Sequence, residues 1–349
     1  MSHARPVERA APPLSASRSG RPARAVDVTE RGRASVLATV RRTIRERKLF
    51  EGARKVLCAV SGGSDSMGML HVLVRLAPEL GIALEVASID HGLRPAAAAE
   101  VDLVARAAAA LGLPLHTRTL RLASGGDLLA RARAARYRAL HEIAAEIGAE
   151  RIAVGHTLDD QAETVLARLL RGSGIAGLGA IEPLRADGVA RPLIDVRRAA
   201  VRAWLQRRGI PFVEDPSNED PRFARARLRH VVLPLLVAES PQLPVHLARL
   251  ADEAREIGSW IRASAATTPP SRQALGTAPR PVAIEALRRW AAAFGGREPS
   301  RAQLEALLGL VREPRAGRAE IRLGRGVVAR RDGDRLVLVR TSAPRRDER

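Results

Sequence analysis

The chain has 349 residues, is 46% hydrophobic but only 2% aromatic, and carries one cysteine and a formal net charge of +20. That length accommodates two domains around aliphatic cores, while a lone Cys58 excludes a disulfide framework, a cysteine zinc site and CxxC redox chemistry. No apolar run approaches the roughly 20 residues of a membrane span and the first residues lack a hydrophobic signal core, so the default expectation is a cytoplasmic protein with no membrane partner. Of 58 basic residues only Lys48 and Lys55 are lysines. Codon bias explains that ratio but not the surplus of base over acid, which points to a polyanionic partner, RNA above all, gripped by guanidinium groups.

Residues 1–34 are rich in Arg, Ala, Pro and Ser without apolar period and read as a disordered basic leader. Val36, Leu37, Val40 and Ile44 predict a helix over 34–49. Val56 to Val60 has the length and β-branched content of a buried strand. SGGSDS (Ser61, Gly62, Gly63, Ser64, Asp65, Ser66) follows at once, and Met67, Leu70, Val72, Leu73 and Leu76 then recur at helical spacing. A strand, a glycine turn and a helix bring backbone N–H groups and the helix dipole to one point, with glycines that let an anion approach. No lysine follows, so the loop is not of the GxxxxGK[ST] type. Asp65 lies where phosphate would arrive, which is favourable only if it holds Mg²⁺ or a backbone N–H.

Residues 82–94 predict a second strand ending in Asp90-His91-Gly92, 100–111 an alanine-rich helix, 113–120 a third strand, and 127–147 a long helix bearing Arg131, Arg133, Arg136 and Arg138. RIAVGH (151–156) is the fourth strand, with an amphipathic helix over 159–171 after it. Ala162, Val165, Leu166 and Leu169 form its apolar stripe, and Asp160 and Glu163 lie towards another face. Such alternation means βαβ units in a parallel sheet covered on both faces, with the ligand site at the carboxyl ends of the strands. SGGSDS, Asp90-His91 and His156 to Asp160 all fall there. Asp159 and Asp160 also suit the helix dipole as caps, and His156 would equally serve as a satisfied core histidine.

From Arg191 the alternation stops. Helices are predicted over 197–208, 224–236 and 241–265, separated by a loop at Pro216, Asn218 and Pro221; 267–281 reads as a Pro-rich linker. Two short helices (282–293 and 300–311) and a strand meander turning at Gly333 follow, then a charged tail. From 240 to 349 there are 21 arginines against 12 acidic residues.

SGGxDS resembles the pyrophosphate loop of the ATP pyrophosphatases. Taken in order, IDHGLR, GHTLDDQAET, LLRGSGIAGL, RPL and EDPSN resemble the tRNA(Ile)-lysidine synthases within that group, a dense match over about 54–237. Residues 282–340 are similar, more loosely, to that family's first C-terminal domain. The resemblance implies an α/β fold with the parallel sheet of the adenine-nucleotide alpha hydrolase type over 35–215, a helical bridge over 216–266, and a small α+β tRNA-binding domain over 282–341. It implies ligation of free L-lysine to C2 of the wobble cytidine in the CAU anticodon of tRNA(Ile), with ATP and Mg²⁺, through an adenylylated cytidine. Carried over residue by residue, Asp65, His156, Asp160 and Arg225 are the expected catalytic positions. Asp65 would hold Mg²⁺ or pyrophosphate and Arg225 would face the α-phosphate. Asp90, His91, Glu163, Arg191 and Arg229 are expected at the substrates, and Asp160 or Glu163 would accept the amine's proton. The chain departs from the family in reading RARLR, with Ala226 where asparagine is usual, and Gly155 where alanine is usual, the latter expected to be harmless. Within enzymes, tRNA thiolation is the rival reading, which a lone strand cysteine opposes; a non-catalytic tRNA-binding protein is the rival from another class.

Overall fold

The computed structural model describes residues 35–90, 97–120, 128–214, 222, 224–294, 298–312, 320–324 and 326–340. The predicted leader and tail, His91 and most of EDPSN lie outside the described residues. The elements described lie within Val36–Arg349.

The chain opens with α1 (Val36–Glu46), then β1 (Lys55–Ala59), α2 (Ser64–Leu80), β2 (Ala83–Asp90), α3 (Ala97–Ala110), β3 (Leu115–Thr119), α4 (Leu128–Ile147), β4 (Arg151–Val154), α5 (Leu158–Leu170), α6 (Ile175–Leu178), β5 (Val189–Ala190) and α7 (Arg198–Gln206). The five strands form one sheet in the order β3-β2-β1-β4-β5, every pair parallel. Period-2 side-chain alternation divides β1 between two cores: Val56 and Cys58 face a cluster with α1, α2, α3 and α7, and Leu57 faces one with Tyr137, Leu140 and Ile143 of α4. Both faces are therefore covered, as the near-continuous apolar strands require. Strand order reverses between β1 and β4, and this switch point opens a crevice at the strands' carboxyl ends. The two-residue β5, which sequence reasoning omits, extends the sheet beyond β4.

The bridge is less regular than its sequence pattern suggests. It comprises α8 (Ala224–Arg227), a π-helical turn over Leu228–Val232, α9 (Leu233–Glu239) and the long α10 (Leu243–Ala266). A π turn re-aims the side chains before and after it, here where Arg225 and Arg229 leave the backbone. Residues 267–281, predicted as a linker, contain α11 (Arg272–Thr277), whose Leu275 is fully buried. The segment is also pinned to the C-terminal sheet by Arg272 N donating to Asp334 O at 2.7 Å. Helices α12 (Arg280–Ala293) and α13 (Arg301–Arg312) share that core with the antiparallel meander β6 (Glu320–Gly324), β7 (Val327–Asp332) and β8 (Arg335–Arg340). The turn after β7 uses Gly333 at φ +59.

Arg47, just past α1, ties three parts of the molecule together. It donates to both carboxylate oxygens of Asp195 (2.8 and 3.0 Å) and to both of Asp252 in α10 (2.9 and 3.0 Å), and these carboxylates hold its pKa above the ordinary value even though burial pulls it down. Arg47→Ala is expected to lower stability by about 2–3 kcal/mol, since paired fork geometry is lost and two carboxylates are left facing each other. Equilibrium urea denaturation measures this, and a loss below about 0.5 kcal/mol would place the pairs with ordinary exposed ion pairs.

Candidate active site

The phosphate loop sits where its sequence places it. Gly62 adopts φ +81, a left-handed conformation that favours glycine, and its carbonyl accepts a 2.9 Å bond from Val213 N. Ser66 Oγ donates to Gly63 O at 3.0 Å and accepts from Ser61 N at 3.1 Å, closing the loop on itself. No side chain caps α2 at Gly63, so its first-turn N–H groups remain available to an anion. Close by, β4 ends at Gly155. A Cβ there would lie 2.9 Å from the carbonyl carbon and oxygen of Asp65. Gly155 is thus what allows β4 to approach the loop so closely, and alanine at this position would require the Asp65 backbone to shift.

Helix α5 begins with a capping box: Asp160 Oδ2 accepts from Thr157 N and Thr157 Oγ1, both at 2.8 Å, while Thr157 Oγ1 accepts from Asp160 N. The other oxygen, Oδ1, accepts from Arg198 and Arg225 at 2.8 Å each and from Arg229 at 3.4 Å. Glu163, 1% exposed, accepts from Arg229 Nε at 2.7 Å, Arg225 Nε at 2.9 Å and Arg198 Nη1 at 3.3 Å. The predicted polar face of α5 is therefore buried against arginines, while Leu169 at the end of its apolar stripe is 43% exposed.

Arg198 also donates to Asp65 Oδ2 at 2.8 Å, and its backbone N–H donates to Asp159 at 2.7 Å. Sequence reasoning misses it. The available signal is an arginine in the first turn of a helix, where the dipole disfavours a cation unless carboxylates compensate. Three carboxylates and three guanidiniums form a closed, charge-balanced cluster joining the phosphate loop, α5, α7 and α8. Burial works to raise the Asp160 carboxyl, but Arg198 and Arg225 hold it well below the usual carboxylate range. For Asp65 burial wins over Arg198, and its carboxyl lies above that range.

His156 follows β4, and its Nδ1 accepts from Arg191 Nε at 3.2 Å, which leaves the ring proton on Nε2. Burial first, and then Arg191, Arg133 and Arg225, push its pKa down to about 3 against the raising pull of Asp160. The ring is a neutral donor at physiological pH. Because its folded pKa lies below the unfolded one, the stability it contributes is complete above about pH 6.5 and lost as pH falls towards 3, a window above the one in which Asp160 loses its own contribution. Between pH 6 and 4 the stability of His156→Gln should therefore fall less steeply than that of the wild type, by up to about 1.4 kcal/mol per pH unit. Denaturant titrations across that range test this, and parallel slopes would overturn it.

Arg191, 3% exposed, also reaches Glu182 O. Asp90 closes β2 at the same sheet edge, where its backbone carbonyl accepts from Leu120 N at 2.8 Å, but it does not join the carboxylate–guanidinium cluster. Ala226 is buried between the two arginines of α8. Cys58 is wholly buried inside β1, and burial pushes its thiol up to about 12, so it is no nucleophile.

Among the described residues no three carboxylate, histidine or cysteine side chains are grouped to hold a metal. Asp65 nonetheless suits Mg²⁺: its buried Oδ1 has no hydrogen-bond partner among the described residues, and Mg²⁺ commonly takes one or two carboxylates with phosphate and water completing its shell.

Residues 36–236 match the family model of the PP-loop domain, and residues 271–337 that of the TilS substrate binding domain. A tRNA(Ile)-lysidine synthase of Rhodopseudomonas palustris is 42% identical over 86% of this chain and 95% of its own length, and one of Methylobacterium nodulans 43% identical over 72% and 78%. The chain belongs to the tRNA(Ile)-lysidine synthase family. Family members differ in length: the chain spans 47% of a relative from Solibacter usitatus, which is 46% identical over 59% of this chain. A U34-tRNA thiolase from Methanococcus maripaludis shares the fold at TM-score 0.55 and 18% identity, covering 63% of this family member and 78% of its own chain.

Proposed function

We propose that this protein ligates L-lysine to C2 of the wobble cytidine in the CAU anticodon of tRNA(Ile), consuming ATP through an adenylylated cytidine. The observation that carries this reading is Arg198, which joins Asp65 of the phosphate loop to Asp160 and Glu163. A nucleotide-activating site and an amine-receiving site thereby share one charge network at the sheet's switch point.

A cytosine C2 carbonyl is a poor electrophile. In the first step its O2 attacks the α-phosphorus of ATP, forming the O–P bond as pyrophosphate leaves. The loop N–H groups and Ser61 would orient the phosphates, and Mg²⁺ on Asp65 would supply charge neutralisation. In the second step the lysine ε-amine attacks C2 and AMP departs with the oxygen. The ε-ammonium must first lose a proton, and Glu163 is the candidate acceptor, because one oxygen of Asp160 is committed to the cap of α5 and its carboxylate serves to bind the cation. His156 would donate from Nε2 to the base.

An incoming ammonium needs the charge that arginines now neutralise. Arg225 is the most exposed of the three, at 50% of its side chain against 18% for Arg198 and 23% for Arg229. Its turn from Asp160 towards the α-phosphate would free the site for lysine as ATP arrives. The C-terminal domain, with its arginine surplus, would hold the tRNA body, and the enzyme would work in the cytoplasm. Incubation with CAU tRNA(Ile) transcript, ATP and labelled lysine tests the proposal: label in tRNA and tRNA-dependent ATP–pyrophosphate exchange are expected. Tight tRNA binding without exchange would favour the non-catalytic reading.

A further inference from the structure

Beside the active site lies a second cluster of cations that the chemistry above does not use. Tyr137, buried in α4, has three guanidiniums against its ring, with Cζ of Arg185 at 5.1 Å, Arg133 at 5.2 Å and Arg136 at 5.6 Å from the centroid. Arg136 and Arg191 lie near its hydroxyl, which none of them meets in good hydrogen-bond geometry. Arg185 pairs with Asp187 at 2.7 Å, but among the described residues no carboxylate pairs with Arg133 or Arg136. The ring face attracts each cation by about 1 kcal/mol, yet packing so many together with one carboxylate leaves strong mutual repulsion. Burial, with neighbouring arginines, holds the Arg136 and Arg191 guanidiniums below their ordinary pKa. Such an arrangement favours the arrival of an anion.

Its position identifies which anion. Helix α4 enters from the carboxyl edge of the sheet and packs Tyr137 on its face against Leu57, Ile152 and Val189; Arg191 follows β5 towards that edge, and Arg185 precedes β5 near the start of β4. Arg191 joins the cluster to His156, the residue beside the reacting base. The phosphate loop lies beyond β4 and has its own donors, so ATP is already served. The carboxylate of a free amino acid needs one guanidinium, not four. A phosphodiester matches the planar fork of arginine and carries a full charge at every nucleotide, and a base splayed into a pocket brings its own backbone phosphates to the rim. We propose that Arg133, Arg136 and Arg185, set around Tyr137 with the buried Arg191 behind them, form a phosphate site that grips the RNA backbone next to the extruded cytidine. The proposal rests on the tRNA-modifying reading above.

The test uses the full chain with Arg133→Gln, Arg185→Gln and their double variant, positions outside the reacting cluster. Binding of tRNA(Ile) transcript across a salt series is expected to weaken about tenfold per arginine. The slope of log K against log[salt] should become shallower by about 0.7–0.9 for each phosphate no longer neutralised. The KM values for ATP and lysine should not change, and Arg133→Lys should recover most of the affinity. Unchanged tRNA affinity and slope in a wild type that modifies tRNA would overturn this site alone. A raised lysine KM with unchanged tRNA affinity would also overturn it, assigning the cluster to the amino acid's carboxylate. A wild type that binds no tRNA would overturn both this site and the functional reading.

Discussion

Asp65→Ala is expected to lower tRNA-dependent ATP–pyrophosphate exchange by at least about 10³-fold, because the only protein ligand proposed for Mg²⁺ disappears from the phosphate loop. Its carboxyl is raised by burial and has one unpartnered oxygen, so it is poised to gain a cation. Arg198 keeps Asp160 and Glu163 after the substitution, so the fold should lose little, and tRNA affinity should stay within about twofold because arginine–phosphate pairs carry it. Exchange assays and tRNA binding on the same preparation separate the two quantities. Parallel loss of both would show that Asp65 organises the loop and has no part in the chemistry.

Glu163→Gln should divide the reaction at its second step. The amide fills the same volume but cannot accept the ammonium proton, so lysine transfer should fall by about 10²–10⁴-fold while adenylylation, measured by exchange, stays within about tenfold. A stability loss of about 3 kcal/mol is expected as well, since Arg225 and Arg229 lose a buried counter-charge. Equal loss of exchange and transfer would assign Glu163 to the architecture of the whole site. Transfer unaffected would move the proton acceptor elsewhere.

Much of this site is legible from sequence, and the parts that are not share a physical cause. SGGSDS, His156 and Asp160 declare themselves because each occupies the junction of a strand and a helix, and local pattern determines such junctions. Glu163 is legible as chemistry but not as environment: helical spacing places it on a polar face, and only the fold reveals that arginines bury that face. Arg198 and Arg47 escape because arginine is too common here to mark a position. Their meaning comes from partners 35 to 205 residues away. Strand β5 escapes because two residues carry no alternation, and α11 because one buried leucine among Pro, Ser and Thr gives no period. The tyrosine-centred arginines are visible in sequence as a basic stripe on α4, but Arg185 joins them from a loop that precedes β5.

The capping box has a consequence for how this sequence can change. Asp160 gives one carboxylate oxygen to the start of α5 and the other to the arginines. Its carboxylate plane is therefore fixed by the backbone of the helix it helps begin. Glutamate would reach the arginines only by leaving the cap, and asparagine would keep the cap with one acceptor while turning a donor towards guanidinium groups or losing its bond to Thr157 N. Each of these near neighbours that spares one role damages the other. The position is a point where selection on folding and selection on chemistry act on the same atoms, and a lineage that relaxed its need for the reaction could take asparagine or glutamate here, since either can serve the cap alone.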